Sequence, residues 1–216
     1  MNYQDLKAEL DKQQVTLLAV SKTKPVNEIL KLYNLGQRDF GENRVQELLE
    51  KKDLLPNDIR WHLIGHLQKN KAKYLADFVY MIHSIDNLKL AGLVNKEASK
   101  VNRKINVLLQ IKIAKEDSKF GYDWLQLLED MDSLLHMEYL NIKGVMGMGT
   151  FTQDKLITHA EFEQLHDYYK ILKEKYFKNS NSFSEISMGM SEDYKIALEH
   201  NTTIVRIGSL LFGSRN

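Results

Sequence analysis

Lys22 follows directly on the apolar run LLAV and sits in Ser21-Lys22-Thr23-Lys24-Pro25, so an amine stands where a strand reads as ending. An amine beside a hydrophobic wall is the kind of nucleophile that condenses with a carbonyl compound. A lone lysine is more often a solvated loop residue, and its weight depends on what else the chain offers. Near the other end, Ser187-Met188-Gly189-Met190-Ser191-Glu192-Asp193 is a small-residue turn that leads into a helical segment. Such a turn turns backbone N–H groups toward an anion, although a plain serine cap with acidic residues behind it has the same composition. In Ile204-Val205-Arg206-Ile207-Gly208-Ser209, alternation places Val205 and Ile207 on one face and Ile204, Arg206 and Gly208 on the other. If the apolar pair packs outward, Arg206 points inward, where a guanidinium requires acceptors or a ligand. Gly208-Ser209 then forms a second small-residue turn beside the first.

Eight short runs of strand-like composition can position these groups: 15 to 22, 38 to 43, 59 to 65, 78 to 86, 105 to 113, 140 to 148, 184 to 190 and 203 to 213. Between them lie helical patterns. VNEILKLYNLG follows Pro25 and ends on Gly36, DNLKLAGLVNKEASK repeats apolar residues at three and four, and the clearest helix runs from about 154 to 177. Strands alternating with helices force a parallel sheet, and eight strands are the number that closes a (β/α)8 TIM-type barrel. A doubly wound open sheet is the alternative if a strand is misassigned. The barrel demands that functional residues sit at the C-terminal ends of the strands, with phosphate near the loops after strands seven and eight. Lys22, the 187 to 193 turn, Arg206 and Gly208-Ser209 all meet that demand. Asn43 after strand two, and His62, Gly65 and His83 on strands three and four, read equally well as strand-end caps or satisfied interior polar groups. A reactive lysine, an anion cup and an interior arginine at one mouth describe a site for a phosphorylated aldehyde held as a Schiff base. The chemistry alone does not separate a pyridoxal 5′-phosphate (PLP) site from an aldolase-type lysine acting on a sugar phosphate.

The chain has 216 residues, 43% of them hydrophobic, enough for a sizeable core and for a single domain over 1 to 216. Thirty basic residues against 29 acidic ones leave no excess positive charge to advertise nucleic acid or an anionic membrane. Cysteine is absent, which excludes disulfides and thiolate metal sites and fits a reducing compartment. The polar start MNYQDLKAELDKQQ lacks the apolar stretch of a secretion signal, and no apolar run approaches a membrane span, so a cytoplasmic protein is expected.

Seven blocks carry a resemblance: LLAVSKTKP (17 to 25), FGENRVQE (40 to 47), WHLIGHLQKNK (61 to 71), SKFG (118 to 121), KGVMGM (143 to 148), SMGMSEDYKIAL (187 to 198) and VRIGSLLFG (205 to 213). In that order, over nearly the whole chain, they resemble the YggS family of PLP homeostasis proteins, whose fold is similar to the barrel domain of alanine racemase. The resemblance implies PLP as cofactor, with Lys22 as its Schiff-base lysine and Arg206 facing the pyridine nitrogen. It implies that Ser187, Met190, Ser191, Gly208 and Ser209 hold the phosphate, and that Asn43, His62 and Met146 line the same mouth. Lys24 and Lys119 lie in matching blocks and could form a secondary imine. About fourteen residues precede strand one, so the N-terminal helix should be short.

The role that the resemblance implies is a non-catalytic, monomeric carrier or regulator of PLP, with PLP-dependent apoenzymes as possible recipients. An amino-acid racemase is the alternative. It needs two acid/base groups on opposite faces of the substrate, and the three residues left after strand eight supply no second domain to bring one. A metal site on His62 and His66, four apart, is a third class, weakened by the glycine between them.

Overall fold

In the computed structural model, which describes residues 2–114 and 120–213, every expected strand forms, each shorter than the run that announced it. The strands are β1 (Thr16–Val20), β2 (Asp39–Glu42), β3 (Arg60–Leu63), β4 (Met81–Ile85), β5 (Ile105–Gln110), β6 (Leu140–Met146), β7 (Glu185–Met190) and β8 (Ile204–Ile207). Each pairs in parallel with the next, and β8 pairs back onto β1, which closes the barrel. The open-sheet alternative is thereby set aside. Helices α1 (Tyr3–Lys12), α2 (Val26–Asn34), α3 (Val45–Lys52), α4 (Leu88–Lys100), α5 (Trp124–Leu135), α6 (Lys155–Tyr176), α7 (Tyr194–Glu199) and α8 (Ser209–Phe212) surround it, and a 3₁₀ turn over Lys69–Tyr74 replaces a full helix between β3 and β4.

The largest difference from expectation lies at the end. The run 203 to 213 divides at Gly208, and its apolar tail Leu210-Leu211-Phe212 turns into α8. Three apolar residues in a row carry no period, so their composition suits a strand and a helix end equally. The long α6 starts where Asp154 accepts a hydrogen bond from Leu156 N, and it buries Phe162, Leu165 and Leu172 against the barrel. α1 is short, as expected, and sets Leu6 and Leu10 against Val205 and Ile207.

The outward packing of that pair turns the rest of β8 inward. Ile204 joins Leu18, Met81, Leu108 and Met146 in a separate apolar cluster inside the barrel, and Arg206 stands level with Leu18 across the β1–β8 seam. Two glycines bring the rim together. A Cβ on Gly65 would lie 2.3 Å from the Asn43 carbonyl oxygen, and Gly189 combines φ +88° with a site where a Cβ would lie 2.6 Å from Ala197 Cβ. Among the described residues, no helix is long and apolar enough to cross a membrane.

Candidate functional site

β1 ends at Val20, and the chain must turn at once toward α2. Ser21 N donates to the Gly41 carbonyl at 3.0 Å, Lys24 N donates to the Ser21 carbonyl at 3.0 Å, and Thr23 takes the left-handed conformation with φ 65°. A buried ionic cluster holds this turn from below. Lys51 Nζ, on α3, donates to the Ser21 carbonyl at 2.8 Å, to Glu42 Oε1 at 2.8 Å and to Glu47 Oε1 at 2.6 Å. Ser21 Oγ donates to the same Glu42 oxygen at 2.6 Å, and Thr23 N donates to Glu47. Burial pushes the Glu42 carboxyl above its ordinary range in spite of Lys51 and Ser21, and its second oxygen has no hydrogen-bond partner. The sequence does not single out Lys51 or Glu42 for this role. The only signal is the Glu47–Lys51 spacing of four, which reads as a surface helix pair.

Lys22, on this turn, is half-buried and borders a cavity of about 560 Å³ at the C-terminal ends of the strands. That volume lies in the range of small-molecule sites, roughly 300 to 1,000 Å³. The wall also includes Asn43, Met190, Ser191, Arg206, Gly208 and Ser209, which come from the ends of β2, β7 and β8. Arg206 is buried at the cavity floor, where Nη1 donates to Ser187 Oγ at 2.8 Å and Nη2 to the Gly147 carbonyl at 2.9 Å. Burial brings its guanidinium down to about 10 against the opposing pull of Asp193, so it is charged at neutral pH. The two small-residue turns are tied to each other, since Gly208 N donates to Ser191 Oγ at 3.2 Å. Asp193 closes the first turn by accepting from Met190 N.

The alanine racemase N-terminal domain model matches residues 1–216. A pyridoxal phosphate homeostasis protein of Schizosaccharomyces pombe is 39% identical over 206 residues, covering 94% of this chain and 85% of that protein. The chain belongs to this family. PipY of Synechococcus elongatus PCC7942, solved without PLP, superposes with a TM-score of 0.91 at 34% identity, covering 97% of each chain. The same protein solved with PLP bound gives 0.87 at 34% identity, covering 97% of this chain and 99% of that one.

For this family member, the residues expected at the mouth separate into two levels. Lys22, Asn43, Met190, Ser191, Arg206, Gly208 and Ser209 border the cavity together, while Ser187, His62 and Met146 do not. Ser187 is fully buried, and its hydroxyl is engaged by Arg206 and by His83 Nδ1 at 3.1 Å, so it is not placed to reach a phosphate in the cavity. His62 lies deeper, between His83 and Asp39. Met146 packs in the interior apolar cluster. The cause is depth: alternation tells which face a side chain takes, but not how far along the barrel axis it sits. Lys24 borders the cavity and donates to the Phe212 carbonyl at 3.0 Å, and Lys119 lies outside the described residues. His66 stacks on Phe120 and faces Asp86, whereas His62 contacts His83 and Asp39. No group of three potential ligands that could hold a metal ion occurs among the described residues.

Proposed function

We propose that this chain binds PLP in the mouth cavity, with Lys22 as its covalent anchor, and acts in cellular PLP homeostasis as a carrier or regulator. The observation that carries this is the convergence on one cavity of an amine, a buried permanent cation and two linked small-residue turns. The donor set fits the cofactor part by part. Lys22 Nζ would take the aldehyde as a Schiff base, and Ser191, Ser209 and the N–H groups of their turns would take the phosphate. Arg206, which can only donate, would face the ring nitrogen and keep it unprotonated. When bound, PLP supplies a reactive aldehyde and an electron-withdrawing ring.

Arg206 opposes the second of these. A ring nitrogen that only accepts a hydrogen bond withdraws electrons less than a protonated one, which suits holding the cofactor more than using it. A racemase would further need a second acid/base group held on the face of the substrate opposite Lys22. The family relatives are named for homeostasis, which supports the same role. PLP-dependent apoenzymes are the recipients that such a carrier would serve, in the cytoplasm.

The test is the visible spectrum of the protein with PLP, followed by borohydride reduction and peptide mapping. The expected result is an imine band and a pyridoxyl group on the peptide that contains Lys22, both lost in Lys22→Ala. A stoichiometric label on another residue in that variant, Lys24 first, would overturn the assignment.

A further inference from the structure

Below the cavity floor, an unbroken line of polar side chains crosses the barrel. Arg206 Nη1 donates to Ser187 Oγ at 2.8 Å, and Ser187 Oγ lies 3.1 Å from His83 Nδ1. His83 Nε2 lies 2.9 Å from His62 Nδ1, and His62 Nε2 lies 3.1 Å from Asp39 Oδ1. At the far end Arg60 Nε donates to the same Asp39 oxygen at 2.7 Å and Nη2 to the other. The members come from β8, β7, β4, β3 and β2, and all but Arg60 are buried.

The two ends dictate the proton positions between them. A guanidinium only donates, so Ser187 Oγ accepts from Arg206. Burial pushes the Asp39 carboxyl up, but hydrogen bonds from Arg60 and His62 outweigh it and hold it at about 2, so Asp39 only accepts and His62 Nε2 carries a hydrogen. With both imidazoles neutral, one arrangement remains: His62 Nδ1 accepts from His83 Nε2–H, and His83 Nδ1 accepts from the Ser187 hydroxyl. One added proton would reverse the two inner bonds, and Ser187 would then receive hydrogens from both Arg206 and His83. The charged and titratable groups around the pair are Asp39, Arg60, Tyr80, whose ring lies 5.1 Å from that of His62, and Arg206. Burial opposes a charged His83, and its neighbours His62 and Arg206 add to that.

We propose that His83 and His62 are positioning residues for Arg206. With both Nδ1 atoms bare they take up the Ser187 hydroxyl hydrogen and hold its oxygen lone pairs toward Arg206 Nη1, which fixes the direction of the guanidinium toward the ligand's ring nitrogen. The PLP part of this inference rests on the function proposed above. The proton order within the line does not.

Two measurements test it. Long-range ¹H–¹⁵N correlation on the full-length protein, with and without PLP, should show both histidines protonated at Nε2 and bare at Nδ1 at neutral pH. A hydrogen on His83 Nδ1, or a cationic pair at neutral pH, would overturn the proposal whether or not PLP binds. The second measurement compares Ser187→Ala with Ser187→Thr, which restores a hydroxyl. With PLP on Lys22 in both, Ser187→Ala should move the pH midpoint of the visible band by about one pH unit and weaken PLP about tenfold. Ser187→Thr should recover most of both. Equal behaviour of the two variants while Lys22 still takes the label would overturn the positioning role, whereas loss of the label from Lys22 in the unaltered protein would instead count against the PLP assignment.

Discussion

At the scale of single residues, the cavity divides its work between a covalent anchor, a fixed charge and hydroxyls, and each leaves a separate signature. Ser191 and Ser209 meet the proposed phosphate with hydroxyls, and hydrogen bonds to a charged group contribute about 1.5 to 3 kcal/mol each. Replacing both by alanine is expected to weaken PLP by about a hundredfold or more and to leave pyridoxal, which has no phosphate, nearly unaffected in equilibrium titrations. An equal loss for both ligands would remove the serines from the phosphate site. Asp39 gives a second residue-scale test. Its folded carboxyl, at about 2, lies below the unfolded value of 3.8, so its contribution is present above pH 3.8 and is lost as the pH falls toward 2. Nearly two pH units correspond to about 2 kcal/mol. Urea unfolding between about pH 5 and pH 2 should show this decline, and Asp39→Asn should flatten it.

At the scale of elements, the turn that presents Lys22 depends on α3 as much as on β1. Lys51 ties the Ser21 carbonyl to Glu42 and Glu47, all from chain segments that pack only when the second β/α unit docks on the first. Removing one partner of a buried pair leaves an uncompensated charge, so Lys51→Met should destabilise the fold by about 3 kcal/mol in denaturant unfolding and slow imine formation at Lys22. Adding Glu42→Gln removes the stranded carboxylate and should recover a large part of that stability. If the double variant were no more stable than Lys51→Met, the Lys51–Glu42 contact would not be the source of the loss.

At the scale of the whole molecule, barrel closure makes the site, because Lys22 and Arg206 lie at opposite ends of the chain and meet only across the β1–β8 seam. The same closure puts a buried guanidinium, which only donates, at the cavity floor, where it would leave the ring nitrogen of PLP unprotonated and weaken its pull on electrons. Added L- or D-amino acids are therefore expected to exchange their Cα proton in heavy water within about tenfold of the rate with free PLP, a barrier difference of about 1.4 kcal/mol. Stereospecific exchange many orders of magnitude faster, abolished by Lys22→Ala, would make the protein a racemase instead.

The order of strands and helices, the inward face of Arg206 and the place of Lys22 at a strand end were legible in the sequence, because they follow from local composition and from a period of two. So was the pair of small-residue turns, which carries its chemistry in seven consecutive residues and a neighbouring dipeptide. What the sequence left open was depth and partnership. His62, Met146 and Ser187, which the resemblance places at the mouth, face inward, yet strand register sets them below the cavity, in a polar line and an apolar plug. Lys51 reads as a solvated helix lysine until the packing of α3 buries it. Residues 39, 62, 83, 187 and 206 come together only when the sheet closes, since the register that aligns them belongs to the pairing of strands and not to any one of them.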